Sequence, residues 1–339
     1  MRGVSPPRWQ PTIGSVRSAG KITRVVSTPS RARPLTSPEH FSRESPPNAS
    51  ATMTIPAQKP AAPPPARSGK DPEPAEESGS EQKVREAESL DAKTTYEVIR
   101  REGTQELARS SEALFWSGLA AGLSMGFSFL AEALLRSHLP DAPWRPLVAK
   151  LGYSIGFLIV ILGSQQLFTE NTLTPMVPLL ADKKRETLRN VLRLWAVVFV
   201  ANMLGTLLFA LALGRLAVVE PEAQRALSEL AREAMRFEFP VTLLHAVYAG
   251  WIIALLVWML PAAETAKIPV IVLMTWLIGI GGFAHVVAGS CEVFYAAWRG
   301  EATWAQAVLG YVLPALIGNM LGGITLVAAL NHAQATASD

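Results

Sequence analysis

A tetrapeptide occurs twice in the chain: residues 202–205 read Asn-Met-Leu-Gly, and residues 319–322 repeat those letters at an offset of 117 residues. Each copy lies inside a long apolar run, the first in residues 188–213 and the second in residues 304–330. Four matching letters carry little weight in apolar sequence, but both copies fall in the last run of a group of three. The repeat therefore indicates two related halves.

Six apolar runs are candidates for crossing a bilayer, for which a helix needs about 20 residues. They are residues 113–135, 147–163, 188–213, 239–260, 268–298 and 304–330. Three spans per half is an odd number, so the two halves must have opposite orientations in the membrane, as in many transporters. The sequence predicts an all-α membrane protein of six transmembrane helices, built as two inverted three-helix repeats.

The loops between the runs predict the orientation of the chain. Residues 181–193 carry five basic side chains, which places this short loop in the cytoplasm. Residues 214–238 are rich in glutamate and are expected to face outward. With six spans, both termini are then cytoplasmic.

The second and fifth runs are interrupted. The second ends in Gly-Ser-Gln-Gln at residues 163–166 and continues as Thr-Glu-Asn-Thr at residues 169–172; the fifth has glycines on both sides of His285. At the 117-residue offset, residues 167–169 correspond to residues 284–286. Broken helices at membrane depth occur where the backbone is buried or lines a cavity, and half-helix N-termini favour anions. The paired breaks predict the substrate path.

His285 is the leading candidate for a functional side chain, because a histidine in mid-membrane is costly and usually faces a cavity. It titrates near neutral pH and is suited to passing a proton to the anion of a weak acid. The alternative is a histidine that bonds a neighbouring backbone. Thr169 offers a hydroxyl donor at the other break, or caps the loop.

Three charged residues are secondary candidates. Glu170 is a possible pore charge, although a carboxylate in such a loop more often binds backbone amides. Glu292 lies two helical turns after His285 on the same face, where it would tune the histidine or line an outer vestibule. Arg236 precedes the fourth run and would attract anions to the pore mouth, or be a solvated loop charge.

Residues 1–92 are rich in proline, serine and arginine and are expected to be disordered, because they bury too little apolar surface. Met53 is a second candidate start. An amphipathic helix is predicted over residues 93–112, either against the membrane surface or in solvent. The transmembrane channel domain is predicted over residues 113–332, with a short tail at residues 333–339.

The composition argues against several classes of function. Of the residues, 49% are apolar and only 17% are charged, against about 25% in a soluble domain. The sequence has no phosphate-binding loop, nucleophile elbow or metal-ligand pair, and its single cysteine gives neither a disulfide nor a metal site. We therefore expect no enzyme activity, no cofactor, no metal and no nucleic-acid partner.

The chain resembles the formate/nitrite transporter family over residues 110–330. The resemblance rests on Gly-Ser-Gln-Gln-Leu-Phe-Thr-Glu-Asn at residues 163–171, on Gly-Phe-Ala-His at residues 282–285, and on the six-span inverted layout. The Thr-Glu-Asn-Thr form is similar to a less characterised branch. The resemblance implies an aquaporin-like fold and a homopentamer with one pore in each protomer.

The resemblance also implies roles for particular residues. The family's mobile gate on the cytoplasmic side matches Leu167, Phe168 and Thr169, and its central histidine matches His285. Two apolar constrictions flank that histidine in the family. The one nearer the cytoplasm is expected to consist of three residues, Tyr153, Phe157 and Ile278.

Two positions depart from the family pattern. An asparagine usual four residues after the histidine is Gly289 here, and a second one in the fourth span is matched to Gly250. The basic residue that the family carries before the fourth span is matched to Arg236. The pore is therefore expected to have fewer polar groups in its wall.

The function expected from these features is transport of a small monovalent weak-acid anion of the formate or nitrite class, channel-like or proton-linked through His285. The alternatives are a pore for acetate, hydrosulfide or another small solute, and a non-conducting membrane protein whose tail binds partners. The expected location is the bacterial inner membrane.

Overall fold

The computed structural model describes residues 92–216 and 218–337, and every regular element in these ranges is helical. The predicted disordered tail thus lies, apart from Ala92, outside the described residues. Five helical stretches are long and apolar enough to cross a membrane: Ser111–His138, Arg145–Leu162, Arg185–Arg215, Phe239–Gly281 and Gln306–Thr325.

The Phe239–Gly281 stretch contains two spans. It has 43 residues, and a continuous helix of that length would extend about 65 Å, roughly twice the apolar thickness of a bilayer. A 3-10 turn at Glu264–Ala266 divides it, with Glu264 at a positive φ of 31°. The described residues therefore form the six spans predicted from the sequence.

Twelve α-helices make up the described chain. They are α1 Ala92–Ala108, α2 Ser111–His138, α3 Arg145–Ala149, α4 Ser154–Leu162, α5 Met176–Asp182, α6 Arg185–Arg215, α7 Pro221–Ala234, α8 Phe239–Ala263, α9 Lys267–Gly281, α10 Val286–Arg299, α11 Leu313–Leu321 and α12 Leu330–Ala337. The spans are, in order, α2, α3 to α5, α6, α8, α9 with α10, and the segment around α11. π-helical turns at Gln306–Val312 and Gly322–Ala329 flank α11.

Glycines bring the first and third helices of each half into backbone contact. A Cβ atom added at Gly122 of α2 would lie 2.3 Å from the carbonyl oxygen of Asn202 in α6. A Cβ atom added at Gly250 of α8 would lie at the same distance from the carbonyl oxygen of Asn319 in α11. The same close approach in both halves agrees with the inverted repeat, and small residues are what permit it.

The helix α1 docks on the protein through one stripe of side chains. Its buried residues are Thr95, Ile99, Gly103 and Leu107, at four-residue spacing. A Cβ atom at Gly103 would lie 2.0 Å from the carbonyl oxygen of Thr174, so the helix touches the segment that follows the second-span break. The stripe thus packs on protein, while several residues of the other faces of the helix are exposed.

Two elements were not predicted from the sequence. The loop between the third and fourth spans contains α7, whose apolar face packs inward through Ala223, Ala226, Leu227, Leu230 and Ala231. Arg136 of α2 holds this helix through ion pairs to Glu233 (2.8 Å) and Glu229 (3.1 Å). At the other end of the chain, α12 continues to Ala337, beyond the predicted boundary at residue 332.

Candidate functional site

Asn202 holds the break in the second span. Its side-chain oxygen accepts a hydrogen bond from the Phe168 amide (2.8 Å), and its side-chain nitrogen donates to the carbonyl oxygens of Gly118 (2.7 Å) and Gln166 (2.9 Å). The break exposes backbone groups that have no helical partner, and one buried amide satisfies two of them.

Asn319 does the same for the break in the fifth span. Its oxygen accepts from the Val286 amide (2.8 Å), and its nitrogen donates to the carbonyl oxygens of Ala246 (2.8 Å) and Ala284 (2.9 Å). The repeated tetrapeptide therefore marks two equivalent clamps, a role that the sequence analysis did not assign.

The clamps also correct the alignment of the two breaks. Val286 takes the place of Phe168 in its hydrogen bond to the clamp, and Ala284 takes the place of Gln166, which is an offset of 118 residues. The prediction from the 117-residue repeat is thus wrong by one residue within the breaks. Under the corrected alignment, Leu167 is the counterpart of His285.

Thr169 and His285 meet between the two breaks. Both are fully buried, and Thr169 Oγ1 lies 2.8 Å from His285 Nε2. His285 is also the N-cap of α10, because its Nδ1 accepts the Ala288 amide at 3.1 Å. A neutral imidazole carries one proton, so Nδ1 as acceptor places that proton on Nε2, which donates to Thr169. The threonine hydroxyl keeps its own proton for a further acceptor.

Apolar rings and side chains surround this pair. The ring of Phe157 packs edge-on against His285 at 5.0 Å between centroids, and Tyr153 lies 5.4 Å from Phe157 on the same helical turn. Leu167 and Ile278 are fully buried, and Phe168 is 2% exposed. Ser128 Oγ fixes the start of α4 by donating to the Tyr153 carbonyl and accepting the Gly156 amide at 3.1 Å.

Two cavities approach the protein interior from opposite ends. The α7 cavity, of about 310 Å³, is lined by residues of α7 and of both breaking spans, including Lys150, Tyr153, Ile278, Glu292 and Tyr311. The α1 cavity, of about 440 Å³, lies beside α1 and is lined by Glu106, Gln165, Gln166 and Glu170 among others.

The position of Tyr153 and Ile278 differs from the prediction. Both line the α7 cavity. Under the predicted orientation, in which the loop containing α7 faces outward, they lie on the outer side of His285, whereas the family resemblance implied the cytoplasmic side. The reason is the direction of the second span: it enters from the α7 end at Arg145, so Tyr153 is only about two turns into the membrane. Phe157 lies deeper, against His285.

Glu170 does not bind backbone amides, contrary to the favoured interpretation. Its side-chain Oε1 is buried without a hydrogen-bond partner among the described residues, beside the α1 cavity. Asn171 stabilises the loop instead, since its Nδ2 donates to Gln166 Oε1 (3.0 Å) and to the Leu167 carbonyl (3.1 Å). Gln166 in turn donates to Glu106 Oε2 of α1 at 2.7 Å.

Four predicted residues remain: Arg236, Glu292 and Gly289 lie at the α7 end of the protein, whereas Gly250 lies between two helices. Arg236 and Glu292 line the α7 cavity, as does His245, and the Arg236 guanidinium stacks over Phe237 at 4.4 Å. Gly250 is not a pore position, because the backbone of Asn319 occupies the space beside its Cα atom. Gly289 faces the Tyr311 hydroxyl, which would lie 1.8 Å from a Cβ atom there.

An ion pair inside the membrane region was also missed. Lys150 Nζ lies 2.5 Å from Glu132 Oε1, and the Glu132 side chain is only 3% exposed. A glutamate inside the first apolar run was the available signal, because charges within spans rarely lack a buried partner. The described residues contain no cluster of His, Cys, Asp or Glu that could hold a metal ion.

Comparison with known proteins identifies the family. The formate/nitrite transporter family model matches residues 93–333. The chain is 41% identical over 243 residues to the inner membrane protein YfdC of Escherichia coli, a match that covers 72% of this chain and 78% of that one. It is 26% identical over 239 residues to the formate channel BtFdhC of Bacillus thuringiensis, a match that covers 68% of this chain and 90% of that channel.

Solved structures agree on the fold. An FNT family ion channel superposes with a TM-score of 0.60 at 20% identity, covering 69% of this chain and 96% of that one. A pentameric formate channel with formate bound superposes with a TM-score of 0.53 at 19% identity, covering 65% of this chain and 95% of that one. With its six spans, its two clamped breaks and a family match over residues 93–333, the chain belongs to the formate/nitrite transporter family.

Proposed function

We propose that this protein moves a small monovalent weak-acid anion, of the formate or nitrite class, through a pore in each protomer. The pore runs from the α7 cavity past Phe157, His285 and Thr169 to the α1 cavity. Leu167 and Phe168, which lie in the same break as Thr169, form the gate on the α1 side.

The observation that carries this proposal is the contact between Thr169 and His285. It joins the two breaks at 2.8 Å, and it leaves a hydroxyl proton as a donor at a place otherwise enclosed by apolar side chains. A bare anion in such a region is costly unless it is hydrogen-bonded or neutralised. A hydroxyl donor supported by an imidazole supplies the hydrogen bond.

Proton linkage needs a second proton on His285. The neutral ring already holds a proton on Nε2, so the second one must bind Nδ1, where the Ala288 amide now donates. The anion can then accept a proton through the Thr169 hydroxyl and pass Phe157 as the neutral acid, which is far cheaper to desolvate.

The assembly and orientation are part of the proposal. The pentameric formate channel supports a homopentamer, and the inner membrane protein YfdC supports a bacterial inner membrane. The basic residues Lys183, Lys184 and Arg185 at the α1 end support cytoplasmic termini, which makes the α7 cavity the outer one. The protein acts as a transporter, without enzyme activity or cofactor.

Flux measurements with the full-length protein in liposomes test the proposal. We expect formate and nitrite flux across a pH gradient, and a fall of at least tenfold, with lost pH dependence, in a His285→Asn variant. Asparagine is a good helix N-cap, so this variant keeps the cap of α10 while it removes the imidazole. Absence of flux of either anion through correctly folded pentamers would contradict the proposal, and acetate and hydrosulfide would then be measured in the same vesicles.

A further inference from the structure

Two buried tyrosines line the α7 cavity without using their hydroxyls for protein contacts. Tyr153 and Tyr311 are each 5% exposed and both line the cavity wall. Among the described residues, neither hydroxyl takes part in a hydrogen bond, and both side chains line the cavity. Buried polar groups are normally paired with protein, water or a ligand, so two free phenol donors at one cavity indicate something that enters it.

The hydroxyl of Tyr311 occupies the space that Gly289 leaves open. A Cβ atom at residue 289 would lie 1.8 Å from the hydroxyl oxygen and 2.4 Å from the carbon that carries it. Any larger residue at 289 must therefore displace the phenol. The pair thus places a donor from the sixth span where a side chain from the fifth span would otherwise stand.

The charges around the cavity are mostly paired. Lys150 is bound to Glu132 at 2.5 Å, and Glu233 is bound to Arg136 at 2.8 Å. Arg236 and Glu292 remain as the charged wall residues without an ion pair among the described residues. An ionised Glu292 can accept hydrogen bonds but cannot donate them, so the phenols of Tyr153 and Tyr311 are the uncharged donors that stand beside the cationic groups of this wall.

We propose that the hydroxyls of Tyr153 and Tyr311 form an outer subsite for a small oxyanion with two acceptor oxygens. The inference rests on the proposed function. The anion binds at this subsite before it passes Phe157. The ring of Phe157 separates the subsite from the central pair, with centroids 5.4 Å from Tyr153 and 5.0 Å from His285. Tyr311 is thereby assigned as a specificity-determining residue, whose hydroxyl occupies the space beside Gly289.

The test measures formate flux against formate concentration for the full-length protein in liposomes. Tyr153→Phe and Tyr311→Phe are each expected to raise the half-saturating concentration by about tenfold, the size of one lost hydrogen bond to a charged group. The matched control is Tyr295→Phe. Tyr295 is equally buried, but its hydroxyl donates to the Gln224 carbonyl at 3.5 Å, so the half-saturating concentration should not change.

Two further variants identify the sign of the ligand charge and the origin of the effect. Glu292→Gln removes a neighbouring carboxylate and is expected to lower the half-saturating concentration; an increase would indicate a cationic ligand and overturn the proposal.

Gly289→Ala should act like Tyr311→Phe, and adding it to Tyr311→Phe should cause little further change, because both remove the same donor.

The two levels of the proposal fail in different ways. Flux in the parent, with both cavity tyrosine variants indistinguishable from Tyr295→Phe, would overturn the subsite and leave the transport function standing. Absence of anion flux in the parent would overturn both.

Discussion

At the scale of single residues, the site depends on side chains that serve two partners at once. His285 caps α10 with one ring nitrogen and holds Thr169 with the other. Asn202 and Asn319 each accept one backbone bond and donate two. Removing any of these side chains leaves a buried backbone group unpaired, and such a group costs about 1–3 kcal/mol.

Replacement of a clamp should therefore destabilise the protein. An Asn319→Leu variant leaves the Val286 amide and two carbonyl oxygens without their partner, and we expect a loss of about 2–5 kcal/mol in the free energy of unfolding. The thermal unfolding midpoint of the purified protein, followed by size exclusion, measures this. The control is the same substitution at an asparagine that is not a clamp, Asn190→Leu. Asn190 is only partly buried and lies in α6, the helix that carries the other clamp, Asn202. Equal midpoints for the two variants would contradict the clamp.

The hydroxyl of Thr169 should be required for flux, and its methyl group should not. Thr169→Ser keeps the donor, whereas Thr169→Val keeps the shape and removes it. We expect flux close to the parent for the serine variant and a fall of about 10–100-fold for valine, from the loss of one hydrogen bond to a charged solute. Parental flux in the valine variant would show that the anion passes without this donor.

At the scale of elements, α1 is tied to the gate of the proposed pore. Glu106 of α1 accepts a hydrogen bond from Gln166, one residue before Leu167, and Arg193 of α6 donates to the carbonyl oxygens of Leu107 and Arg109 (2.8 and 3.0 Å). Gly103 fits against Thr174 at a distance that no side chain tolerates. The helix and the break therefore behave as one packed unit.

A side chain at Gly103 should release α1. We expect Gly103→Val to increase the rate of trypsin cleavage after Arg100, Arg101 or Arg109 by about tenfold, because overpacking of this size costs about 1–3 kcal/mol. Thr104→Val, on the exposed face of the same helix, is the matched control and should be cleaved at the parental rate. Equal rates would mean that α1 does not depend on this contact.

Acid should also loosen α1, to a smaller extent. Hydrogen bonds from Arg100 and Arg101 lower the pKa of Glu97 from 4.5 to about 2. A lowered pKa means that the stabilisation is present above pH 4.5 and is lost as the pH falls towards 2. The pair is solvent-exposed, so we expect Glu97→Gln to speed amide exchange in α1 by no more than a few-fold at pH 7. No difference between the variant and the parent would show that the pairs do not stabilise the helix.

At the scale of the whole molecule, the proposal of one pore per protomer has a quantitative consequence. In pentamers that mix parent and His285→Asn subunits, flux should fall in proportion to the fraction of variant subunits. A single pore shared on the five-fold axis would lose flux more steeply, because one variant subunit would affect the whole channel. Co-expression with two affinity tags and flux in liposomes distinguish the two.

The architecture was largely predictable from the sequence, and the site geometry was only partly so. Apolar run length gave the six spans, and the repeated tetrapeptide indicated the inverted halves, because both depend on local composition. The role of Asn202 and the one-residue shift of the breaks depend on which backbone groups meet in space. Tyr311 escaped prediction for the same reason: a glycine at 289 does not reveal which residue of another helix will occupy the space beside it.

The hydrogen bonds of the clamps have a consequence for biosynthesis. Asn202 binds groups of the first three spans only, and Asn319 binds groups of the last three only. Each half can therefore close around its own break as it leaves the ribosome and the translocon, without waiting for the other. The bond between Thr169 and His285 is different, since it joins one half to the other and can form only after synthesis has passed the fifth span. The first scaffold can thus form before the second half is synthesised, whereas both the second scaffold, which needs Asn319, and the contact between Thr169 and His285 wait for the last two spans.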